Sequence, residues 1–253
     1  MAQTISTSFS THDGSISLLQ YVRFFSDTFY LRGTLTTFRV ATETTVVCVV
    51  LGYPLSLLIA RGTPLQSQIL MIATIIPLMV NVVVRAYGWT IILGRTGIVN
   101  TSLVSAGLID APLRILYNEF AVVLGSVHVF LPLLVLPLRA SIEKIDRRTE
   151  EAARTLGANS LQVFFRITLP QSLPGLAAGA VMVFSLTASS FVIPALLGGD
   201  FVKMLGPLAE EQLLSVFDWE FGAAIAVILT VLIGVVAGTV AFISGKFIRI
   251  GRD

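Results

Sequence analysis

The chain has 253 residues, 55% hydrophobic and 13% charged, with a mean hydropathy of +0.86; soluble domains carry about 25% charged residues, so an ordinary water-soluble domain is excluded. A formal net charge of +2 is too small to point to nucleic acid. The single cysteine, Cys48, lies in an apolar run, which excludes an internal disulfide or a cysteine-based metal site.

Residues 1–33 contain no basic stretch followed by an apolar one, so no cleavable signal peptide is read there. They form a tail, either disordered or with "SLLQYVRFF" as a short interfacial helix anchored by Tyr21, Phe24 and Phe25. Residues 34–253 then read as one membrane domain. Crossing the hydrocarbon takes about 20 mainly apolar residues. Five stretches qualify, at roughly 36–60, 69–93, 119–139, 172–197 and 222–245. The expected fold is therefore an all-α polytopic membrane bundle of about five helices.

The first stretch contains Arg39 and Glu43, the second Asn81 and Arg85, and the third His128. Charges inside a span cost about 2.5–3.5 kcal/mol at its centre on insertion scales, so each calls for a partner or a function. Taking the first helix inward from residue 34, Glu43 lies about nine residues in, roughly 13 Å at 1.5 Å per residue. Arg85 and His128 fall at a comparable outer level. Three arrangements are open: an Arg39–Glu43 pair on one helix, a Glu43–Arg85 clasp between helices, or an outer gate in the solute passage. Asn81 is a candidate for an interhelical hydrogen bond, and His128 reads as a hydrogen-bonded core residue. Nothing around it has metal-ligand spacing, and no nucleophile with an adjacent base marks an enzyme.

Ten of the 17 lysines and arginines fall on one side of a five-helix arrangement: Arg61, then Arg139, Lys144, Arg147, Arg148, Arg154 and Arg166, then Lys246, Arg249 and Arg252. Lysine and arginine in short loops favour the cytoplasm, so the 139–171 segment faces inward and the N-terminus outward. Within that segment Asp146 suits a helix N-cap and Gly157 a left-handed stop. Asn159 or Ser160 can cap a second short helix, "SLQVFFRI", ended by Pro170. Its Leu161, Phe164, Phe165 and Ile167 have no lipid core of their own. They either lie against the bundle or enter a partner's groove.

The fourth stretch places hydroxyls at Ser185, Thr187, Ser189 and Ser190, which either bond back to their own helix or line a path. "GLAAG" at 175–179 and "GVVAG" at 234–238 have the spacing that lets membrane helices approach closely.

Glu151, Ala152, Ala153, Gly157, Ile167, Leu169 and Pro170 reproduce E-A-A-x3-G-x9-I-x-L-P at every defined position. In this the chain resembles the permease subunits of binding-protein-dependent ABC importers. "LGYPLSLLIAR", "ILGRTGIVNTSL", "GLIDAPLRILYN", "FLPLLVLPLRASIEKID", "FVIPALLGGD" and "DWEFGAA" are similar to the spermidine/putrescine-type branch. The resemblance implies a cytoplasmic coupling loop over 140–171 that docks on an ATP-hydrolysing subunit. Glu151 then pairs with a basic residue of that subunit, Ala152 and Ala153 permit close approach, and Gly157 makes the turn. Leu161, Phe164, Phe165, Ile167, Leu169 and Pro170 belong to the same contact.

It further implies a second permease, two ATP-binding subunits and an external substrate-binding protein around this chain in a bacterial inner membrane. The N-terminus is then outside and the C-terminus cytoplasmic. The sequence contains no G-x-x-x-x-G-K-[ST] phosphate loop, so ATP and magnesium are expected in the separate ATPase and no cofactor in this chain. The family places the fourth helix at the translocation path, which nominates Ser185, Ser189 and Phe191 as lining and Pro194 as a point of loosening, beside Glu43, Asn81 and Arg85. Relatives of this branch usually carry one more membrane helix ahead of the segment resembling "YVRFFSDTFYLRGTL". The expected function is the transmembrane permease subunit of an ATP-driven importer for a small polyamine-like, opine-like or related solute. A rival reading is an ion-coupled transporter or channel with Glu43, Arg85 and His128 as its relay.

Overall fold

A bilayer offers the backbone no hydrogen-bonding partner, so an apolar chain must satisfy its N–H and C=O groups within helices. The computed structural model describes residues 2–10 and 17–250, and its elements are helical throughout. α1 (Ala2–Ser8) and α2 (Leu19–Ser26) precede α3 (Thr28–Arg61), which is followed by α4 (Pro64–Ile75), α5 (Val82–Leu93) and α6 (Ile98–Ser105). α7 (Glu119–Glu143), α8 (Arg147–Thr155), α9 (Ser160–Val163) and α10 (Leu169–Ser189) come next, then α11 (Leu205–Glu211) and α12 (Trp219–Ile250). Among the described residues five helical stretches are long and apolar enough to cross a membrane: Thr28–Arg61, Val82–Ser105, Glu119–Glu143, Ser160–Ser189 and Trp219–Phe242.

Three span boundaries differ from the reading of the apolar runs, the first because α3 begins at Thr28, inside the stretch 1–33 read as a tail. The run at 69–93 is not one helix: α4 tightens into a 3-10 turn at Ile76–Met79, and α5 starts afresh at Val82. Pro77 lacks the N–H that would continue the α-helical ladder. Asn81 instead accepts a hydrogen bond from the Val83 N–H at 2.8 Å and caps the new helix. Its side chain thus serves its own helix rather than a neighbouring one. The run at 172–197 ends early, at Ser189. Pro194 does not loosen that helix. It opens a separate π turn, Pro194–Gly198.

The described chain forms two compact units. One comprises Met1–Thr44, Val80–His128 and Ser185–Gly234; the other comprises Thr45–Met79, Val129–Phe184 and Val235–Asp253. In the first, the Thr37 hydroxyl donates to the Gly33 carbonyl at 2.7 Å and accepts from the Leu205 N–H at 2.8 Å. This joins α3 to the start of α11. Arg23 of α2 bonds Asp218 at 2.7 Å and lies 4.0 Å over the Phe221 ring, while Tyr30 meets that ring edge-on at 4.9 Å. α2 is thereby tied to the start of α12.

In the second unit α7 and α10 approach closely. A Cβ on Gly175 would lie 2.5 Å from the Pro137 carbonyl oxygen, and one on Gly179 would lie 2.9 Å from Leu134 Cα. No such closeness exists around Gly234 or Gly238, where nothing lies within 4 Å. Val231, Val235 and Phe242 of α12 are 58%, 61% and 66% exposed, as a helix facing lipid or a partner would be. The side chains of Lys246 and Arg249, and Arg252 as a whole, lie outside the described residues.

Candidate functional site

The segment from Asp146 to Pro170 is set by local chemistry. The Asp146 carboxylate accepts from the Arg148 N–H at 2.9 Å and starts α8. Glu150 in the first turn and Arg154 in the last both suit the helix dipole. At the other end the Gly157 N–H donates to the Arg154 carbonyl at 2.9 Å and the Ala158 N–H to the Ala153 carbonyl at 3.0 Å. Gly157 has φ +90°. These bonds close a Schellman motif, whose left-handed residue is easiest for glycine. Asn159 and Gln162 then exchange side-chain bonds with each other's N–H groups at 2.8 and 2.9 Å, a capping box that starts α9.

Pro170 does not end the second helix. The chain passes from α9 through a π turn, Phe164–Thr168, straight into α10. The Leu169 N–H reaches back to the Phe164 carbonyl, and the wider turn leaves Pro170 in the first turn of α10, where a missing N–H is tolerated.

Glu151 and Ala152 are exposed, and Ala153 is half-buried. Among the described residues the Glu151 carboxylate has neither a hydrogen bond nor an ion pair. Leu156, Leu161 and Phe165 are 90%, 69% and 60% exposed, and Gly157 and Pro170 are exposed as well. The two phenylalanines part company. Phe165 points outward, whereas half-buried Phe164 meets Tyr53 of α3 edge-on at 5.2 Å. Ile167 and Leu169 are half-buried beneath the segment.

Sequence reasoning missed the attachment of this segment. Glu150 Oε1 accepts from Arg61 Nη2 at 2.8 Å and from the Thr168 hydroxyl at 3.1 Å. Arg61 Nη2 also donates to the Ile145 carbonyl at 3.3 Å, and Arg147 to the Ala60 carbonyl at 3.4 Å. The available signal was the Glu150–Glu151 doublet. Neighbouring helix positions project about 100° apart, so one acid can turn to its own chain while the next turns away.

The outer-level candidates are arranged differently. Arg39 Nε bonds Glu43 at 3.1 Å and its Nη2 bonds Glu119 at 3.3 Å. Glu43 therefore pairs along its own helix, and no Glu43–Arg85 clasp forms. Arg85 Nε and Nη1 are buried without a hydrogen-bond partner. His128 Nδ1 accepts from the Trp89 indole N–H at 3.1 Å, with the rings edge-to-face at 5.7 Å. No chain of hydrogen bonds among the described residues joins Glu43, Arg85 and His128 into a relay. The Ser189 hydroxyl bonds back to the Ser185 carbonyl at 2.8 Å, and Phe191, 48% exposed, lies just past the end of α10.

The family profile described as "Binding-protein-dependent transport system inner membrane component" matches residues 52–249. The chain belongs to this family. The permease is 36% identical over 234 residues to the spermidine/putrescine transport system permease protein PotB of Haemophilus influenzae, covering 90% of this chain and 82% of that protein. It is 37% identical over 236 residues to PotB of Escherichia coli, covering 91% and 86%.

A chain in the crystal structure of a bacterial alginate ABC transporter, in complex with an alginate pentasaccharide-bound periplasmic protein, shares the fold. The TM-score is 0.81 at 18% identity, over 97% of this chain and 88% of that one. The protein is thus a multi-pass inner-membrane permease subunit of an ABC importer, a transport chain rather than an enzyme. It serves a binding-protein-dependent system.

Proposed function

We propose that this permease admits a polyamine-like or related small solute, and that its 140–171 loop is the cytoplasmic grip for an ATP-hydrolysing subunit. The observation carrying the grip is the unpaired Glu151 carboxylate beside exposed Ala152, on a helix locked by caps at both ends. A basic residue of the ATPase satisfies Glu151. The small alanines let its backbone approach, and Leu161 and Phe165 supply apolar anchors of the kind that dominate helix-in-groove contacts. Half-buried Phe164, Ile167 and Leu169 hold the docking surface from beneath, exposed Pro170 borders it, and Gly157 gives it its corner.

The assembly comprises a second permease, two ATP-binding subunits holding ATP and magnesium, and an external binding protein that delivers the solute. The basic residues around the loop put it in the cytoplasm with the C-terminus, and the N-terminus outside. The permease domain, read from sequence as 34–253, takes in the whole of α3 from its start at Thr28. On the solute path we place Ser185, Ser189 and Phe191, with Glu43, Asn81 and Arg85 towards its outer level. The polyamine class rests on the two relatives named for spermidine and putrescine.

The test is uptake of labelled spermidine by proteoliposomes holding the permease pair, the ATPase and the loaded binding protein. Uptake that requires both ATP hydrolysis and the binding protein supports the reading. Uptake driven by an ion gradient without the ATPase overturns it, and ATP-driven uptake of a different solute overturns the substrate class alone.

A further inference from the structure

We infer that Arg61, Glu150 and Thr168 form the joint through which the ATPase-gripping helix moves together with α3 and α10. This rests on the grip proposed above and assigns the residues on the opposite side of it. Docking alone moves nothing in the membrane. For a displacement of α8 to reach the spans, α8 must be fixed to them by contacts that survive the load.

The geometry supplies those contacts at one carboxylate. Glu150 Oε1 takes hydrogen bonds from two elements: Arg61, the last residue of α3, and Thr168, the last residue of the π turn feeding α10. Through the same Nη2, Arg61 also holds the Ile145 carbonyl, just before the Asp146 cap. One guanidinium therefore fixes the approach to α8 and its first turn together.

The pair is shielded. The Arg61 and Glu150 side chains are 18% and 16% exposed, and Thr168 is buried, so salt and water weaken these bonds less than those of a surface pair. Arg61 Nε is buried without a partner, so the guanidinium sits where its Nη2 bonds are made rather than where all its N–H groups are satisfied.

A second attachment lies about two turns back along α3, or roughly 12 Å. There Tyr53 meets Phe164 edge-on, and its hydroxyl shares a 2.7 Å hydrogen bond with Ser172 of α10. This tie joins α3 to the π turn and α10 without touching α8; it holds α3 and α10 to each other, so that α8, bonded to both through Glu150, bears on them as a pair. Glu151 grips the motor and Glu150 grips the permease, one residue apart on the same turn. Arg61, Glu150 and Thr168 are thus positioning residues that act through α8.

The experiment uses the complete reconstituted importer and reads three quantities: ATPase recovered with the permease, ATP hydrolysed and solute taken up. Glu150→Gln and Arg61→Lys are expected to recover the ATPase at the wild-type ratio and to hydrolyse ATP, yet to spend about five- to tenfold more ATP per solute imported. The reversed pair R61E/E150R is expected to regain most of the lost coupling, while each single reversal does not. Thr168→Val removes only a hydroxyl, and its smaller rise in ATP per solute supplies the reading if the charge variants fail to assemble.

Uptake and hydrolysis falling together, in proportion to the complex recovered, would reduce the joint to support for folding and overturn the inference. Unchanged ATP per solute in all variants would overturn it too. A wild-type complex without ATP-dependent uptake sinks the underlying reading, a result distinct from a failure of the joint alone.

Discussion

At the start of α8 a carboxylate only 16% exposed accepts hydrogen bonds from two separate elements. About a third of the way along α3 an arginine 62% exposed is shared between Glu43 and Glu119, and Arg85 has two buried nitrogens with no hydrogen-bond partner. The first arrangement has one geometry and little freedom to change. The second tolerates loss of a partner, because Arg39 keeps another. A part that transmits displacement needs the first kind of bonding, with a single group left free for the motor. The second kind suits the solute path proposed for the outer level, because Arg39 has two carboxylate partners to choose between.

The contrast is sharpest at Glu151. Glu151→Lys replaces the free carboxylate with a like charge for the basic partner and should weaken ATPase binding about a hundredfold or more. It should leave the thermal stability of the isolated permease unchanged, because among the described residues the exposed carboxylate makes neither a hydrogen bond nor an ion pair. Co-purification and a melting curve in detergent check both halves, and retained ATPase binding would break the contrast.

Gly157→Ala forces a Cβ into a left-handed conformation at a cost of about 1–2 kcal/mol. It should fray the last turn of α8, seen as faster hydrogen exchange over residues 152–158, with a partial loss of coupling. At the outer level, Glu43→Gln leaves Arg39 its bond to Glu119 and should cost less than about 1 kcal/mol of stability. A loss of uptake with stability intact is the result expected of a residue on the proposed solute path, and unchanged uptake would remove Glu43 from it.

How much of this was legible in the sequence follows from the range of each interaction. The caps at Asp146, Gly157 and Asn159 bond within a few residues, so their residue types announced them. The five apolar runs announced the spans for a similar reason, since hydrophobic length is a property of contiguous sequence. The break at Pro77 and Asn81 was harder to see because both sides of it are apolar. Pro170 misled because a proline ends a helix only where its missing N–H is needed, and a π turn had already altered the ladder before it.

The glycine pairs show the same limit. "GLAAG" and "GVVAG" read alike, yet only Gly175 and Gly179 are pressed against another helix of this chain, because the spacing encodes a capacity to pack and not a partner. Arg61 and Glu150 are 89 positions apart, and nothing local to either residue names the other.

The most direct measurement places a photo-activated cross-linker at Leu156, 90% exposed beside the Gly157 corner, in the assembled importer within its native membrane. Capture of the ATP-hydrolysing chain, with a yield that changes when nucleotide is added, is the expected result. Capture of the external binding protein, or of nothing while the complex is intact, would contradict the claim that this segment is the grip.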